Sequence, residues 1–238
     1  MQDSRDYRAL TVIIAARNEE GSIESVVRRV VAAVPGAEVL VVDGGTDSTS
    51  AIVERLGREL PRVRAYRNTD DRGKGHAIRV GIAQAAGDVH AQIDADLQFL
   101  PEELSLLVDP ILDGVADVTL GTRFLEGAVR HEGSTPFFRT LGNKFASRFV
   151  SELCGQRVTD VQAGMKAWSR RAADRIAVQS DNYSYEAEIV VNALRRGLRV
   201  RDVPITTDAR QTGVTNVNVV RDGIRLLWDI TRFRFASR

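Results

Sequence analysis

The chain has 238 residues, of which 43% are hydrophobic and 27% are charged, a balance that is typical of globular proteins and excludes a disordered chain. Its 33 basic and 32 acidic residues leave a formal charge of +1, so we expect no nucleic-acid partner, which would require a basic excess. The single cysteine, Cys154, cannot form an internal disulfide, and we therefore expect a reducing, cytoplasmic setting.

Short apolar runs alternate with helical patterns through the first half of the chain. A β-branched apolar run predicts a buried strand at 10–16, and the spacing that follows it predicts a helix that ends at Pro35. The same alternation predicts strands at 38–42, 62–66 and 88–93, with helices between them. This pattern indicates an α/β fold with a Rossmann-like, mostly parallel sheet and helices on both faces.

The second half is less regular. It predicts strands at 117–121 and 198–205, helices at 137–153 and 182–196, a glycine-rich loop at 127–136 and an amphipathic helix at 219–235. Since no linker or repeat interrupts the chain, we predict one domain at 1–215 and a C-terminal helical extension at 216–238.

Polar clusters follow three of the predicted strands. They are 17–19, Asp43 and 94–96. Ligands of parallel α/β sheets bind beyond the carboxyl ends of the strands, so we expect these clusters to converge on one crevice.

Asp94, Asp96 and Gln98 are candidate metal ligands. In an extended segment, residues two apart point to the same side, so two carboxylates and one amide oxygen are predicted to meet at one point. Hard oxygen ligands suit Mg²⁺ or Mn²⁺, and such an ion would neutralise a diphosphate leaving group. The alternative is that the aspartates cap a helix near Pro101.

Four further positions are candidates for nucleotide or anion binding. Asp43 can accept hydrogen bonds from a ribose or a nucleobase, or can only form a turn. Lys74, between two glycines, can contact a donor phosphate or remain solvated, and it lacks the spacing of a Walker motif. Arg123 and Arg210 can each hold a phosphate with two donors, or can lie on a solvated surface.

Taken in order, these motifs resemble the family-2 glycosyltransferases of the GT-A fold, and among them the dolichyl- or polyprenyl-phosphate mannose synthases. The segments that carry the resemblance are 14–20, 41–47, 73–75, 94–98 and 121–124, followed by 160–164, 186–188 and 203–205. The resemblance therefore covers nearly the whole chain.

The resemblance implies a metal-dependent hexosyltransferase that uses a nucleotide-diphospho-sugar, GDP-mannose or a UDP-sugar, with Mg²⁺ or Mn²⁺ as cofactor. The implied donor-binding residues are Ala15, Arg17, Glu19, Asp43, Lys74, Asp94, Ala95 and Arg210. The implied metal ligands are Asp94, Asp96 and Gln98, and Arg123, Asp160 and Gln162 would lie at the acceptor.

Two departures from the family pattern bear on these roles. Ala15 stands where the family usually has proline, a small change in the nucleotide pocket. Asn216 stands where the family commonly has a lysine that would serve a phosphate. The second departure weakens the implied lipid-phosphate acceptor.

The expected reaction is transfer with inversion at the anomeric carbon. A phosphate acceptor is already anionic and needs no base, whereas a hydroxyl acceptor needs a nearby carboxylate, for which Asp160, Glu186 and Glu188 are the candidates. Because residues two apart on a helix do not share a face, we expect at most one of Glu186 and Glu188 to point into the site. We interpret Glu186 as a solvated or structurally paired residue and therefore take Glu188. The catalytic set is then Asp96, Arg123, Asp160 and Glu188.

Three functions remain open at this point. The first is sugar transfer to a polyprenyl phosphate. The second, its alternative, is transfer to a soluble hydroxyl acceptor, such as a small metabolite or a natural-product intermediate. The third is a catalytically inactive nucleotide-sugar-binding module or a nucleotidyltransferase. A sugar-lipid, a soluble glycoside or pyrophosphate as product would distinguish them.

The C-terminal helix suggests a partner of its own. Val220, Ile224, Leu227 and Trp228 form an apolar stripe, and arginines flank it. An interfacial helix on the cytoplasmic membrane face has this pattern, as does a helix that packs on the domain or on a second copy in a homo-oligomer.

Overall fold

The computed structural model describes residues 5–134, 136–209 and 219–236. The helices are α1 (Ile23–Ala33), α2 (Thr49–Glu59), α3 (Lys74–Gln84), α4 (Leu104–Leu112), α5 (Phe137–Cys154), α6 (Arg170–Ile176), α7 (Tyr185–Arg195) and α8 (Val219–Phe235). The strands are β1 (Leu10–Ala16), β2 (Glu38–Asp43), β3 (Val63–Arg67), β4 (Val89–Gln92), β5 (Val118–Thr122), β6 (Val129–Arg130), β7 (Lys166–Ser169), β8 (Val200–Pro204) and β9 (Thr206–Thr207).

Seven of the described strands form one sheet in the order β3-β2-β1-β4-β7-β5-β8. Neighbouring strands are parallel, except that β7 runs antiparallel to both β4 and β5. Strands β6 and β9 pair separately. The predicted α/β architecture with a mostly parallel sheet is therefore confirmed.

The sheet separates two apolar cores. Along β1, Val12 and Ile14 face one core while Ile13 faces the other, because successive side chains of a strand alternate. Helices α1, α2 and α4 cover the first face, and α3, α5, α6, α7 and α8 cover the second. Burial on both faces explains why these strands are apolar without interruption.

The sequence analysis missed β7 and α6 and misplaced some boundaries. Strand β7 begins with Lys166, whose side chain is fully buried, so it lacks the apolar pattern of a central strand. Helix α7 begins at Tyr185 rather than at 182, and the predicted loop at 127–136 includes β6.

Helix α8 packs on the second core through Ile230, with Leu226 and Phe233 beside it. The predicted boundary between 215 and 216 lies outside the described residues and stays a prediction. Across the described ranges, no helix combines the length and the apolar character that a membrane span requires.

Candidate active site

The carboxyl ends of β1, β2 and β4 meet at one edge of the sheet. Ala16 pairs with Asp43 in the register of β1 and β2, and the Ile93 N–H donates to the carbonyl of Ile13 at 3.3 Å. The segment from Asp94 therefore leaves the sheet beside the ends of β1 and β2. The polar residues that follow these strands therefore lie at the edge of the sheet where the sequence predicts a crevice.

Asp43 organises the loop that follows β2. One of its carboxylate oxygens accepts from the Gly45 N–H at 2.8 Å, and the other accepts from the Ser50 hydroxyl at 2.5 Å. Its side chain is almost fully buried. Asp43 thus acts as a turn former in this structure, and the loop that it holds borders the crevice.

The other residues assigned to the nucleoside lie around this loop. Arg17 is exposed, with a guanidinium nitrogen 3.4 Å from a carboxylate oxygen of Asp71, and Glu19 accepts from the Ser22 hydroxyl at 3.1 Å. Ala15 lies in β1 and packs against the second core. The sequence analysis did not identify Asp71, although it lies in the polar segment after β3.

The candidate metal-binding segment is a turn, which corrects the predicted extended geometry. Leu97 has a φ of 59°, in the left-handed region, and Ala95 beside it is buried. The Gln98 N–H donates to a carboxylate oxygen of Asp96 at 3.0 Å, and the Gln98 side-chain amide donates to the carbonyl of Ser134. The alternation argument therefore does not place the Gln98 side chain beside the aspartates.

Asp94 and Asp96 are close enough to influence each other. Burial raises the pKa of Asp94, the charge of Lys74 opposes this rise, and the charge of Asp96 adds to it. Gly164 packs against Asp94, since a Cβ atom at position 164 would lie 2.3 Å from an Asp94 carboxylate oxygen. The absence of a side chain at 164 leaves the space that the Asp94 carboxylate occupies.

Two hard carboxylates at a strand end fit a divalent cation that takes its other ligands from donor phosphates and water. A larger protein cage is not found, because no group of three or more His, Cys, Asp or Glu ligands occurs in the residues that the structure describes. The donor set therefore fits Mg²⁺ or Mn²⁺ in a complex with a diphosphate, rather than a structural metal.

Lys74 faces this pair from the start of α3. Its ammonium lies 2.6 Å from a carboxylate oxygen of Asp94, 3.6 Å from one of Glu186 and 5.8 Å from the centre of the Tyr185 ring. Burial acts to lower the pKa of Lys74, but the negative charges around it, led by Asp94, raise it well above its usual value. Lys74 is therefore a fixed positive charge in the site.

Behind Lys74 lies a buried polar cluster that the sequence analysis did not predict. Glu186 accepts from the ammonium of Lys166, from the Tyr185 hydroxyl at 2.5 Å and from the Gln92 amide at 3.2 Å. Burial acts to raise the pKa of Glu186, but Lys166 and Lys74 together lower it. These partners come from β4, β7 and α7, which are distant in sequence, so no local sequence pattern predicts their contact with Glu186.

The choice between Glu186 and Glu188 was wrong. The Glu188 carboxylate accepts from the N–H groups of Gln179 at 3.1 Å and Ser180 at 2.8 Å. Glu186 is the residue that faces Lys74. The helical argument that only one of them faces the site was sound, but spacing alone does not say which one.

Arg123 and Asp160 form a buried ion pair at the end of β5. The Arg123 side chain binds Asp160 through two nitrogens, at 2.6 and 2.8 Å, and the Arg123 N–H donates to the same carboxylate at 3.2 Å. Asp160 is fully buried. Both oxygens of Asp160 are thus engaged, and the fork of Arg123 that was expected to hold phosphate holds Asp160 instead.

Three cations surround the Phe124 ring. Arg123, Arg130 and Lys144 lie 5.4, 5.7 and 5.3 Å from its centre. A pocket of about 570 Å³ opens beside this ring, between α5 and the segment 155–159. Gln162, two residues after Asp160, has a buried side-chain nitrogen with no hydrogen-bond partner in the described part of the chain. Arg210 and Asn216 lie outside the described residues.

Comparison with known proteins agrees with this architecture. Residues 11–176 match the family model for Glycosyl transferase family 2. The chain is 33% identical over 222 residues to the polyprenol monophosphomannose synthase of Mycolicibacterium smegmatis, covering 90% of this chain and 83% of that protein. It is 30% identical over 246 residues to the undecaprenyl-phosphate mannosyltransferase of Micrococcus luteus, covering 96% and 99%.

Other matches are longer or more distant. Three relatives from Haloferax volcanii extend beyond the match, and the chain spans 55%, 35% and 58% of their lengths. A crystal structure of glucosyl-3-phosphoglycerate synthase from Mycobacterium tuberculosis, with Mn²⁺, UDP and glucosyl-3-phosphoglycerate, aligns with a TM-score of 0.70 at 21% identity, covering 95% of this chain and 78% of that one. At that identity, the likeness shows the fold.

Proposed function

The chain belongs to glycosyl transferase family 2, and from this premise we propose that it moves a hexose from a nucleotide-diphospho-sugar to a polyprenyl-phosphate-type acceptor, with inversion and with a divalent metal. The observation that carries the metal and donor site is the pair Asp94 and Asp96, which follows β4 and faces the ammonium of Lys74. GDP-mannose and UDP-hexoses are the candidate donors.

The donor nucleoside would lie at the ends of β1 and β2. Asp43 fixes the loop that follows β2, and Arg17 and Glu19 border the same edge. The diphosphate would then extend toward Lys74, whose retained charge suits a phosphate. These assignments explain why the polar clusters of three strands belong to one site.

Asp94 and Asp96 would hold the metal. A divalent cation there would neutralise the donor diphosphate and stabilise it as the leaving group. The hard carboxylates and the space above Gly164 support this role. Gln98 is assigned no more than a supporting position, because its amide donates to Ser134.

The state of the three candidate bases favours an anionic acceptor over a hydroxyl. Asp160 is paired with Arg123, Glu186 with Lys166, and Glu188 with backbone N–H groups. Each of these carboxylates would have to exchange one of its present contacts for the proton of an acceptor hydroxyl. A phosphate acceptor needs no such base.

The acceptor phosphate would bind beside Phe124, where Arg130 and Lys144 add positive charge next to the Arg123–Asp160 pair. The two relatives described above are a polyprenol monophosphomannose synthase and an undecaprenyl-phosphate mannosyltransferase, which agrees with this chemistry. Gln162 remains a candidate acceptor contact because its buried amide nitrogen lacks a partner in the described residues.

The order of the strands separates a donor side from an acceptor side. The donor side lies at β1 and β2, the cationic acceptor side follows β5, and β4 with Asp94 lies between them. A sugar held over Asp94 would therefore lie between the two sides. Inversion at the anomeric carbon is proposed from the family resemblance and is tested by the configuration of the product.

Product analysis tests the proposal. The purified protein is incubated with Mn²⁺, GDP-mannose or UDP-glucose, and either a polyprenyl phosphate or 3-phosphoglycerate, and the products are identified by mass spectrometry and by the anomeric NMR signal. We expect a sugar-lipid with inverted configuration. A soluble glycoside as the only product would overturn the lipid-phosphate acceptor. Release of pyrophosphate in a parallel incubation with a nucleoside triphosphate and a sugar 1-phosphate, with no glycoside formed from either nucleotide-sugar, would overturn sugar transfer.

A further inference from the structure

Helices α5 and α8 carry large apolar side chains that point into solvent. Phe138, Leu141 and Phe145 on α5 and Ile224, Trp228 and Phe235 on α8 are each exposed by 58–73%. Their spacing places each set on one stripe of its helix. Of the ten large apolar side chains that are exposed in the described residues, six lie on these two helices, so the apolar surface is concentrated there.

The exposed stripes are not the faces that build the fold. Ala146 and Val150 bury the opposite face of α5, and Ile230 buries the opposite face of α8. The Arg234 side chain donates to the carbonyl of Leu153 at 3.1 Å and fixes the end of α8 against the end of α5. Both helices are therefore anchored to the second core while their outer stripes remain exposed.

Positive charge accompanies the two stripes. Lys144 and Arg148 are exposed on α5, and Arg225 and Arg232 are exposed on α8. Of the acidic side chains that the structure describes on these two helices, Glu152 pairs with Arg148 at 3.3 Å, and Asp229 accepts from the Ser184 hydroxyl at 2.5 Å and lies 3.9 Å from Arg225. Because the whole chain carries only +1, this excess is local.

We propose that the exposed stripes of α5 and α8 form one docking surface for an anionic lipid bilayer. Aromatic side chains enter the headgroup region, and the flanking cations bind anionic headgroups. A second copy of the chain fits less well, because a symmetric contact would bring two basic surfaces together. An anionic bilayer complements both the apolar stripe and its charge.

The docking surface adjoins the acceptor side of the site. Lys144 lies on α5 and also 5.3 Å from the centre of the Phe124 ring. A bilayer against α5 would therefore present a lipid-borne phosphate near Arg130 and Lys144, a consequence that rests on the proposed function. The docking surface itself does not depend on it.

Vesicle sedimentation tests the inference. The full chain is mixed with phosphatidylcholine vesicles that contain about 30% phosphatidylglycerol or none. The test variant is Phe145→Ser/Trp228→Ser, and the control is Leu106→Ser, an exposed position on α4 across the sheet. Thermal melting checks that each variant folds. We expect the wild type and the control to bind the anionic vesicles, and the double variant to bind them at least about tenfold more weakly.

Three results would overturn the docking surface. The first is that the double variant binds anionic vesicles as well as the wild type does, and the second is that the wild type binds neutral and anionic vesicles equally. The third is that the wild type binds no vesicles but forms a dimer, which the double substitution converts to a monomer. Transfer to a short, water-soluble polyprenyl phosphate is measured on the same variants and is expected to stay unchanged. If no acceptor is glycosylated but vesicle binding follows the expected pattern, the proposed function fails and the docking surface stands.

Discussion

The ammonium of Lys74 lies 2.6 Å from a carboxylate oxygen of Asp94, at the position where the sequence predicts a divalent cation. Burial raises the pKa of Asp94, and the charge of Lys74 opposes that rise. Lys74 thus supplies the positive charge that the buried carboxylate needs before a metal binds. The metal and Lys74 would compete for the Asp94 carboxylate. A bound donor diphosphate would lessen this competition, because its negative charge would attract both the metal ion and the Lys74 ammonium.

Lys74→Met is expected to bind Mn²⁺ more tightly than the wild type in the absence of nucleotide, by about tenfold, because a positive charge next to a metal ligand is removed. In the presence of Mn²⁺, the same variant should bind the donor nucleotide more weakly, because a phosphate contact is lost. Electron paramagnetic resonance of unbound Mn²⁺ measures the first effect and calorimetry the second. Lys144→Met is the matched control for the metal, and weaker Mn²⁺ binding by Lys74→Met would refute the competition.

Gly164→Ala should weaken Mn²⁺ binding by about tenfold while the fold persists. The added Cβ would lie 2.3 Å from an Asp94 carboxylate oxygen, so the carboxylate must rotate away from its position. Gly142→Ala on α5 is the control, because nothing lies within 4 Å of a Cβ there. Unchanged Mn²⁺ affinity in Gly164→Ala would show that Asp94 is not a metal ligand in its observed position.

The alternating pattern of the first half was enough to predict β1 to β4 and the edge where their polar ends meet, because strands that are buried on both faces must be apolar. The buried cluster around Glu186 was beyond such reasoning. Lys166 binds a residue 20 positions away, and only the antiparallel strand β7 brings it there. The turn at Leu97 was missed for a related reason, since a left-handed leucine follows no propensity rule.

Glu186→Gln is expected to lower the free energy of unfolding by about 3 kcal/mol, because it leaves the buried Lys166 without its counter-charge. Glu188→Gln should cost about 1 kcal/mol, since glutamine still offers one acceptor to the N–H groups of Gln179 and Ser180. Urea unfolding measures both changes. The double variant Lys166→Met/Glu186→Met should recover part of the loss, and an equal cost for the two single variants would contradict the assigned contacts.

His90 should make the protein less stable in weak acid. Burial is the main cause that lowers its pKa and the charge of Arg170 adds to it, while the hydrogen bond to the Gly87 carbonyl and the charges of Asp174 and Glu38 act to raise it. The unfolded chain therefore binds the proton more readily, so stability falls as the pH drops below about 6.5 toward the lower folded value. In addition, the buried Nδ1 atom has no hydrogen-bond partner in the described residues and would become an unsatisfied donor.

Between about pH 7 and pH 5, the melting temperature of His90→Asn is expected to fall less than that of the wild type. This holds whatever effect the substitution has on stability at neutral pH. The exposed His131, changed in the same way to asparagine, serves as the control. An unaltered pH slope in His90→Asn would exclude His90 as the source.

The most direct test of the central claim is nucleotide binding with and without metal. Melting temperatures are measured for the wild type, Asp96→Asn and the control Asp70→Asn, which makes the same change at an exposed carboxylate. GDP and UDP are each added with and without Mn²⁺, since a ligand at about one hundred times its dissociation constant adds about 2.7 kcal/mol of stability. We predict that one nucleotide stabilises the wild type and the control only with Mn²⁺, and that Asp96→Asn abolishes this effect. If neither nucleotide stabilises the wild type, or if Asp96→Asn responds as the wild type does, Asp94 and Asp96 do not form the metal and donor site.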